Sequence, residues 1–264
     1  MKESVYRFVI AIGLFLFGPL WRLDLSGEGL EHLPDEGGAV VAITHFGYLD
    51  FALAERVIWG HNRRFVRFLA TAASFRHPVS GPLMRGMRHV PVDRSAGAGA
   101  YAEAVRRLRS GDLVGVFPEA YVNRAYVVRE CKTGAVRMAA EAGVPLIPVA
   151  VWGGQRVMTR GHKISLRERR GVAVRVVVGE AMTASVGQVV AQTETLRERL
   201  QELIAVGQQD YPQAATPDDD WWVPADLGGS APTPDEAAAM DAADDAARAS
   251  RSEHSDRSTT KETA

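Results

Sequence analysis

A chain of 264 residues is long enough to bury a full core, and 46% hydrophobic with 24% charged residues is a globular balance. Cys131 is its only cysteine, which excludes an intrachain disulfide and a zinc cluster built from thiolates, and permits a reducing compartment. The formal net charge of −1 conceals a division: residues 207–264 carry 13 Asp and Glu against 4 Lys and Arg, which leaves +8 on residues 1–206. A basic body suits an anionic partner such as a phosphate, a coenzyme, a lipid headgroup or a nucleic acid.

In chain order, the first element is the apolar run RFVIAIGLFLFGPLW at 7–21. From Phe8 to Trp21 it is 14 residues, short of the ~20 that a spanning helix needs. Lys2 and Arg7 give it the charged start of a signal peptide, but GPLWRLDL follows in place of a small-residue cleavage site. It also lacks a polar face, so the readings are a membrane-embedded or re-entrant anchor, a buried core helix or a signal, in that order.

Alternating apolar runs predict strands at Leu23–Leu25, Ala39–Thr44, Phe65–Leu69, His89–Val92, Leu113–Phe117, Leu146–Val151 and Val172–Val178. Helical spacing lies between several of them. DFALAERVIW follows the second run, GAYAEAVRRLRSG ends at Gly111, and TGAVRMAAEAG runs from Thr133 to Gly143. The alternation predicts an α/β fold, with a mainly parallel central sheet of about seven strands flanked by helices and an N-terminal hydrophobic membrane-associating helix.

After TLRERLQELIAV the composition turns to Ala, Asp, Ser and Pro, and disorder is expected past about residue 234. Trp221 and Trp222 are the exception, since paired indoles in an acidic segment usually dock onto something. The organisation expected is a hydrophobic segment at 1–25, a catalytic domain at 26–206 and an acidic tail at 207–264.

ITHFGYLDFA places His45 and Asp50 just past the carboxyl end of the Ala39–Thr44 strand, where open α/β sheets bind ligands. A helix would hold the two about 140° apart, so they meet only if the intervening residues turn, and Gly47 allows that. His89 offers a comparison. Its acid, Asp93, lies four residues on along a strand, roughly 13 Å away, too far for a hydrogen bond. Asp50 as a mere helix cap beside a loop histidine remains an alternative reading of the pair.

Four segments in order, THFGYLD (44–50), GMRHVPVDR (86–94), VFPEA (116–120) and VPLIPVAV (144–151), resemble the four blocks of the glycerolipid acyltransferases, 1-acylglycerol-3-phosphate acyltransferases among them. The resemblance runs from about Gly27 to Glu180. It implies that His45 and Asp50 are the catalytic pair, and that Arg94 contacts the acceptor's phosphate. Phe117, Pro118 and Glu119 match the third block, and Pro148 the proline of the fourth.

Two blocks depart from the family's pattern. Thr44 stands where the first block commonly has Asn. Ala120, Tyr121 and Val122 replace Gly-Thr-Arg in the third, so Arg124 becomes the candidate for a displaced phosphate contact. Glu119 reads better as an orienting group for arginines or a substrate hydroxyl than as a phosphate ligand. Cys131, in VVRECKTG, has no nucleophile motif around it.

The reaction implied is attack of a lysophospholipid hydroxyl on an acyl thioester, most simply 1-acylglycerol-3-phosphate giving phosphatidic acid. It needs no cofactor and no metal; acyl-CoA or acyl carrier protein is the co-substrate. The partners expected are the lysophospholipid, the thioester and a membrane surface, with no nucleic acid, at the cytoplasmic face of the cell membrane. The alternatives are another lysolipid or glycolipid acceptor, a thioester or lipid hydrolase, and a non-catalytic membrane adaptor.

Overall fold

The computed structural model describes residues 3–92 and 97–262. They fall into two compact units, one within 1–123 and 128–214 and the other within 124–127 and 215–264.

In the larger unit the apolar runs become strands: β1 (Asp24–Glu28), β2 (Ala39–Ile43), β3 (Val66–Thr71), β4 (Val90–Val92), β5 (Leu113–Val116), β6 (Leu146–Trp152) and β7 (Ala173–Val178). They join in the order β1-β7-β6-β2-β5-β3-β4. Every neighbouring pair is parallel except β6 and β7. This is the mainly parallel seven-stranded sheet the sequence pattern predicts. All residues of β2, β5 and β6 are buried, as continuous branched apolar runs covered on both faces must be.

Helices α1 (Ser4–Phe15), α2 (Asp50–Asn62), α3 (Ala72–Arg76), α4 (Ser80–Gly86), α5 (Gly97–Arg109), α6 (Gly134–Ala142) and α7 (Val189–Gln208) flank the sheet. Helix α6 stops at Gly143, whose positive φ of 69° is the left-handed cap the sequence places there.

Helix α1 continues into a π-helical turn, Leu16–Leu20. Tyr6, Ile10, Phe17 and Trp21 are buried in two apolar clusters, and the Tyr6 hydroxyl donates to the Val66 carbonyl at 2.7 Å. Phe8, Ile12, Phe15 and Leu20 remain exposed. One face of the segment is therefore a core helix, and the other is an apolar stripe that the described residues leave exposed. Among the described residues no helix is long and apolar enough to cross a membrane.

The smaller unit contains helix α8 (Pro234–Glu262), where disorder was expected. Low hydrophobicity argues against a core, but a helix rich in alanine does not need one. A capping box starts it: the Glu236 carboxylate accepts from the Thr233 N–H at 2.8 Å, and the Thr233 hydroxyl accepts from the Glu236 N–H at 3.3 Å. Ala237 and Asp241, one turn apart, are buried. The paired indoles do dock: Trp222 is buried, and the Trp221 ring meets Tyr126 edge-on at 6.5 Å.

Candidate active site

Strand β2 delivers the chain to the carboxyl edge of the sheet, between β5 and β6. The Thr44 N–H donates to Val149 O at 3.1 Å, and the Thr44 hydroxyl accepts from the Val151 N–H at 3.0 Å. Thr44 thus extends the β2–β6 pairing by one residue with its side chain, a job a hydrogen-bonding residue fills and an apolar one would not.

His45 then leaves the sheet with both backbone groups held. Its N–H donates to Glu119 Oε1 at 3.0 Å, and its carbonyl accepts from the Asn123 N–H at 2.7 Å. The side chain is 17% exposed, with Nδ1 3.5 Å from Asp50 Oδ2. Its ring lies flat on Phe117, with centroids 3.9 Å apart and planes 17° apart. Phe117 stacks in turn on Phe68 at 6.1 Å. Gly115 makes room for that second ring, since a Cβ there would come within 2.5 Å of Phe68 Cε1.

Asp50 is fully buried at the first position of α2 and reaches back over the turn. Its Oδ2 accepts from the N–H groups of Phe46 at 2.8 Å and Gly47 at 2.6 Å. Asp50 therefore does not cap α2: its carboxylate ties together the turn that precedes the helix, and the same oxygen faces the imidazole. Burial pushes the Asp50 carboxyl up, while the hydrogen bond and charge of His45 and the Gly47 and Phe46 N–H groups pull it down.

Gly47 serves a different purpose from the one its conformational freedom suggests. Its φ is not positive. A Cβ at 47 would instead meet Gly154 O at 2.7 Å and Asp50 Oδ1 at 3.0 Å. Space, not torsion, demands glycine there.

Glu119 is buried and touches no arginine side chain among the described residues. Its second oxygen accepts from Asn123 Nδ2 at 2.8 Å and from the Arg129 N–H at 3.3 Å. Burial raises its pKa, against those hydrogen bonds. It acts as a buried bracket on the backbone of His45, which departs from the substrate-orienting role read from the sequence. The adjoining Ala120 has φ +63°, a left-handed conformation where the family usually has glycine.

Pro118 is buried, and its carbonyl accepts from the Lys132 N–H at 2.8 Å. Pro148 lies inside the sheet, paired with Ala42, about 10 Å by strand rise from His45. It is tolerated in a central strand because its nitrogen faces the β7 side, where the ladder ends at Val149 and Val178. Arg94 lies outside the described residues.

Arg124 belongs to the smaller unit, where its guanidinium is buried and paired with Asp241 at 3.5 Å and with Asp244 of α8. As a displaced phosphate contact it would first have to leave both carboxylates. Val122, at the position of the family's missing arginine, is buried.

His89 and Cys131 are unsuited to catalysis, as the sequence suggests. His89 Nδ1 accepts the Phe68 N–H at 3.1 Å, and burial with the charges of Arg67 and Arg107 lowers its pKa to about 3. Cys131 is buried, and desolvation with the nearby Glu119 charge pushes its thiol to about 12.

Sequence reasoning missed the segment after β6. The Thr159 hydroxyl donates to Phe46 O at 2.7 Å, Met158 O accepts the Tyr48 N–H at 2.7 Å, and Gly154 backs directly onto Asp50 Oδ1. The Gly153-Gly154 pair after an apolar strand was the available signal of close backbone approach.

The chain has counterparts among known proteins in both sequence and fold. Residues 25–152 match the Acyltransferase family, and the chain carries that domain. The fold resembles that of the 1-acyl-sn-glycerophosphate acyltransferase of Thermotoga maritima, with a TM-score of 0.60 at 21% identity over 77% of this chain and 81% of that one.

In sequence the chain is similar to a 1-acyl-sn-glycerol-3-phosphate acyltransferase of Bacillus subtilis, 27% identical over 66% of this chain and 84% of that protein. A protein of the same description from Borreliella burgdorferi is 27% identical, over 55% of this chain and 56% of the relative. The chain thus carries an Acyltransferase domain and resembles glycerophosphate acyltransferases in fold and in sequence.

Proposed function

We propose that the protein transfers a fatty acyl group from an acyl thioester, acyl-CoA or acyl carrier protein, to the free hydroxyl of a lysophospholipid, with 1-acylglycerol-3-phosphate the first acceptor to test. The observation that carries this is a partly exposed His45 whose Nδ1 faces a buried Asp50. Similarity to the 1-acyl-sn-glycerol-3-phosphate acyltransferases of Bacillus subtilis and Borreliella burgdorferi supports the acceptor.

In this reading Asp50 fixes the imidazole tautomer with the proton on Nδ1, leaving Nε2 to accept the hydroxyl proton as oxygen attacks the thioester carbonyl. The C–O bond forms, the C–S bond breaks, and the departing thiolate takes the proton back from the imidazolium. A thioester already carries a good leaving group, so no acyl-enzyme is required. Arg94 is assigned to the acceptor's phosphate, as a forked donor suited to that anion.

The exposed stripe of Phe8, Ile12, Phe15 and Leu20 supports an interfacial location. The cytoplasmic leaflet follows from a soluble thioester donor.

The test is incubation of purified protein with labelled acyl-CoA and a panel of lysolipids. Phosphatidic acid should form, His45→Ala should abolish it, and Asp50→Asn should lower turnover by about two to four orders of magnitude. Release of free fatty acid alone would identify a hydrolase instead. Arg94→Ala should raise the acceptor KM more than it lowers saturated turnover. Equal rates on acceptors with and without the phosphate would favour another lysolipid or glycolipid, a reading that the buried Val122 and the paired Arg124 support.

A further inference from the structure

The segment that follows the catalytic-loop brace, residues 160–170, lies beyond the matched Acyltransferase domain. It carries Arg160, Lys163, Arg167, Arg169 and Arg170 against one acid, Glu168. The Lys163, Arg167 and Arg170 side chains are exposed and make no ion pair among the described residues.

Local hydrogen bonds shape the loop. The Glu168 carboxylate accepts from the Ser165 N–H at 2.6 Å, the Ser165 hydroxyl accepts from the Glu168 N–H at 3.3 Å, and Arg169 donates to Ile164 O at 3.0 Å. That reciprocal pair closes a rigid turn. Between its two ends stands Leu166, 66% exposed. A leucine held outward at the tip of a basic turn has no use in folding.

The turn is also tied to the N-terminal apolar segment. The Arg169 guanidinium lies 5.4 Å from the Trp21 ring centroid, and the Gly171 N–H donates to Trp21 O at 2.8 Å. Leu20, beside it, is exposed at the end of the stripe that begins at Phe8.

We infer that residues 160–170 form a second membrane foot, which docks on the anionic headgroups of a phospholipid surface while the α1 stripe enters the apolar layer. The occupant is argued from charge and continuity: free cations, an outward leucine between them, and a direct tie to an uncovered apolar face. An acidic carrier protein would use the charges but has no need of Leu166 or of the link to Trp21. The inference rests on the interfacial location proposed above. It adds a coupling, because the segment follows directly on Met158 and Thr159, which hold Tyr48 and Phe46 of the His45–Asp50 turn.

The experiment compares full-length wild type, the triple variant Lys163→Gln/Arg167→Gln/Arg170→Gln, and Phe8→Ser/Phe15→Ser. Binding is measured on phosphatidylcholine vesicles with and without phosphatidylglycerol. Each basic side chain near an anionic leaflet contributes roughly fivefold, so the triple variant should bind the anionic vesicles about 100-fold more weakly at low salt. It should bind neutral vesicles like wild type and keep turnover on short-chain soluble substrate.

Unchanged binding of the triple variant to anionic vesicles would overturn the second foot. If Phe8→Ser/Phe15→Ser still lost binding in that case, the interfacial location would stand without it. Wild type that binds neither vesicle would overturn both. Vesicle binding like wild type, with turnover lost only when acyl carrier protein is the donor, would reassign the loop to that protein.

Discussion

Gly154→Ala places the smallest possible obstacle behind Asp50. A Cβ at 154 would overlap Asp50 Oδ1, where carbon and oxygen normally stay about 3.3 Å apart. It would also touch Val151 Cγ1 at 3.2 Å and Leu53 Cδ1 at 3.4 Å. The glycine cannot retreat easily, because its carbonyl accepts from the Val157 and Met158 N–H groups at 3.0 and 3.2 Å. Asp50 must therefore move, by roughly 1 Å, and its contact to His45 Nδ1 already stands at 3.5 Å. A misplacement of that size in a catalytic base's partner costs about 100-fold in turnover, and overpacking of the site adds about 1–3 kcal/mol of destabilisation. The assay is the initial rate at saturating acyl-CoA and lysolipid, below the variant's melting temperature. The expected result is kcat down about 100-fold with KM changed less than about threefold. A folded Gly154→Ala protein with kcat within about threefold of wild type would refute the argument that this glycine positions Asp50.

Thr159→Val keeps the side-chain shape but leaves the Phe46 carbonyl without its donor, so kcat should fall while Thr159→Ser restores it; equal loss in both would point to packing alone. His89 has a folded pKa of about 3 against about 6.5 unfolded, so the unfolded chain binds the extra proton between those values and stability falls as pH drops. Urea unfolding should show a His89 share of about 2 kcal/mol lost between about pH 7 and 5. His89→Asn, which can still accept the Phe68 N–H, should lack that loss, and parallel pH profiles for variant and wild type would contradict the assignment. Ala120→Gly relieves a left-handed alanine and should stabilise by roughly 0.5–1 kcal/mol after the glycine entropy is set against it, read as a raised Tm. Arg124→Ala should expose α8 to proteolysis and leave the acceptor KM unchanged; a raised KM would return Arg124 to the phosphate site.

What the sequence determined by itself is what local chemistry and periodicity encode. Short branched runs such as Ala39–Thr44 and Leu146–Val151 suit buried strands, and their alternation with helical spacing points to a mainly parallel sheet. That His45 and Asp50 could meet was legible because they sit five apart across a strand end, where such sheets place their ligands, while the resemblance alone suggested a catalytic role for them.

Tertiary structure decided everything that depends on residues distant in the chain. Glu119, Thr159 and Gly154 lie 74, 113 and 104 positions or more from the groups they hold in the His45–Asp50 turn, and no periodicity predicts which distant oxygen will brace a turn. Arg124 shows the same limit. The resemblance made it the candidate for a displaced phosphate contact, while in the structure two aspartates of α8, more than a hundred residues later, pair with the guanidinium. The N-terminal run shows it once more: its apolar composition could not say which side faces the core, because burial is a property of the neighbours that Tyr6, Ile10 and Phe17 find.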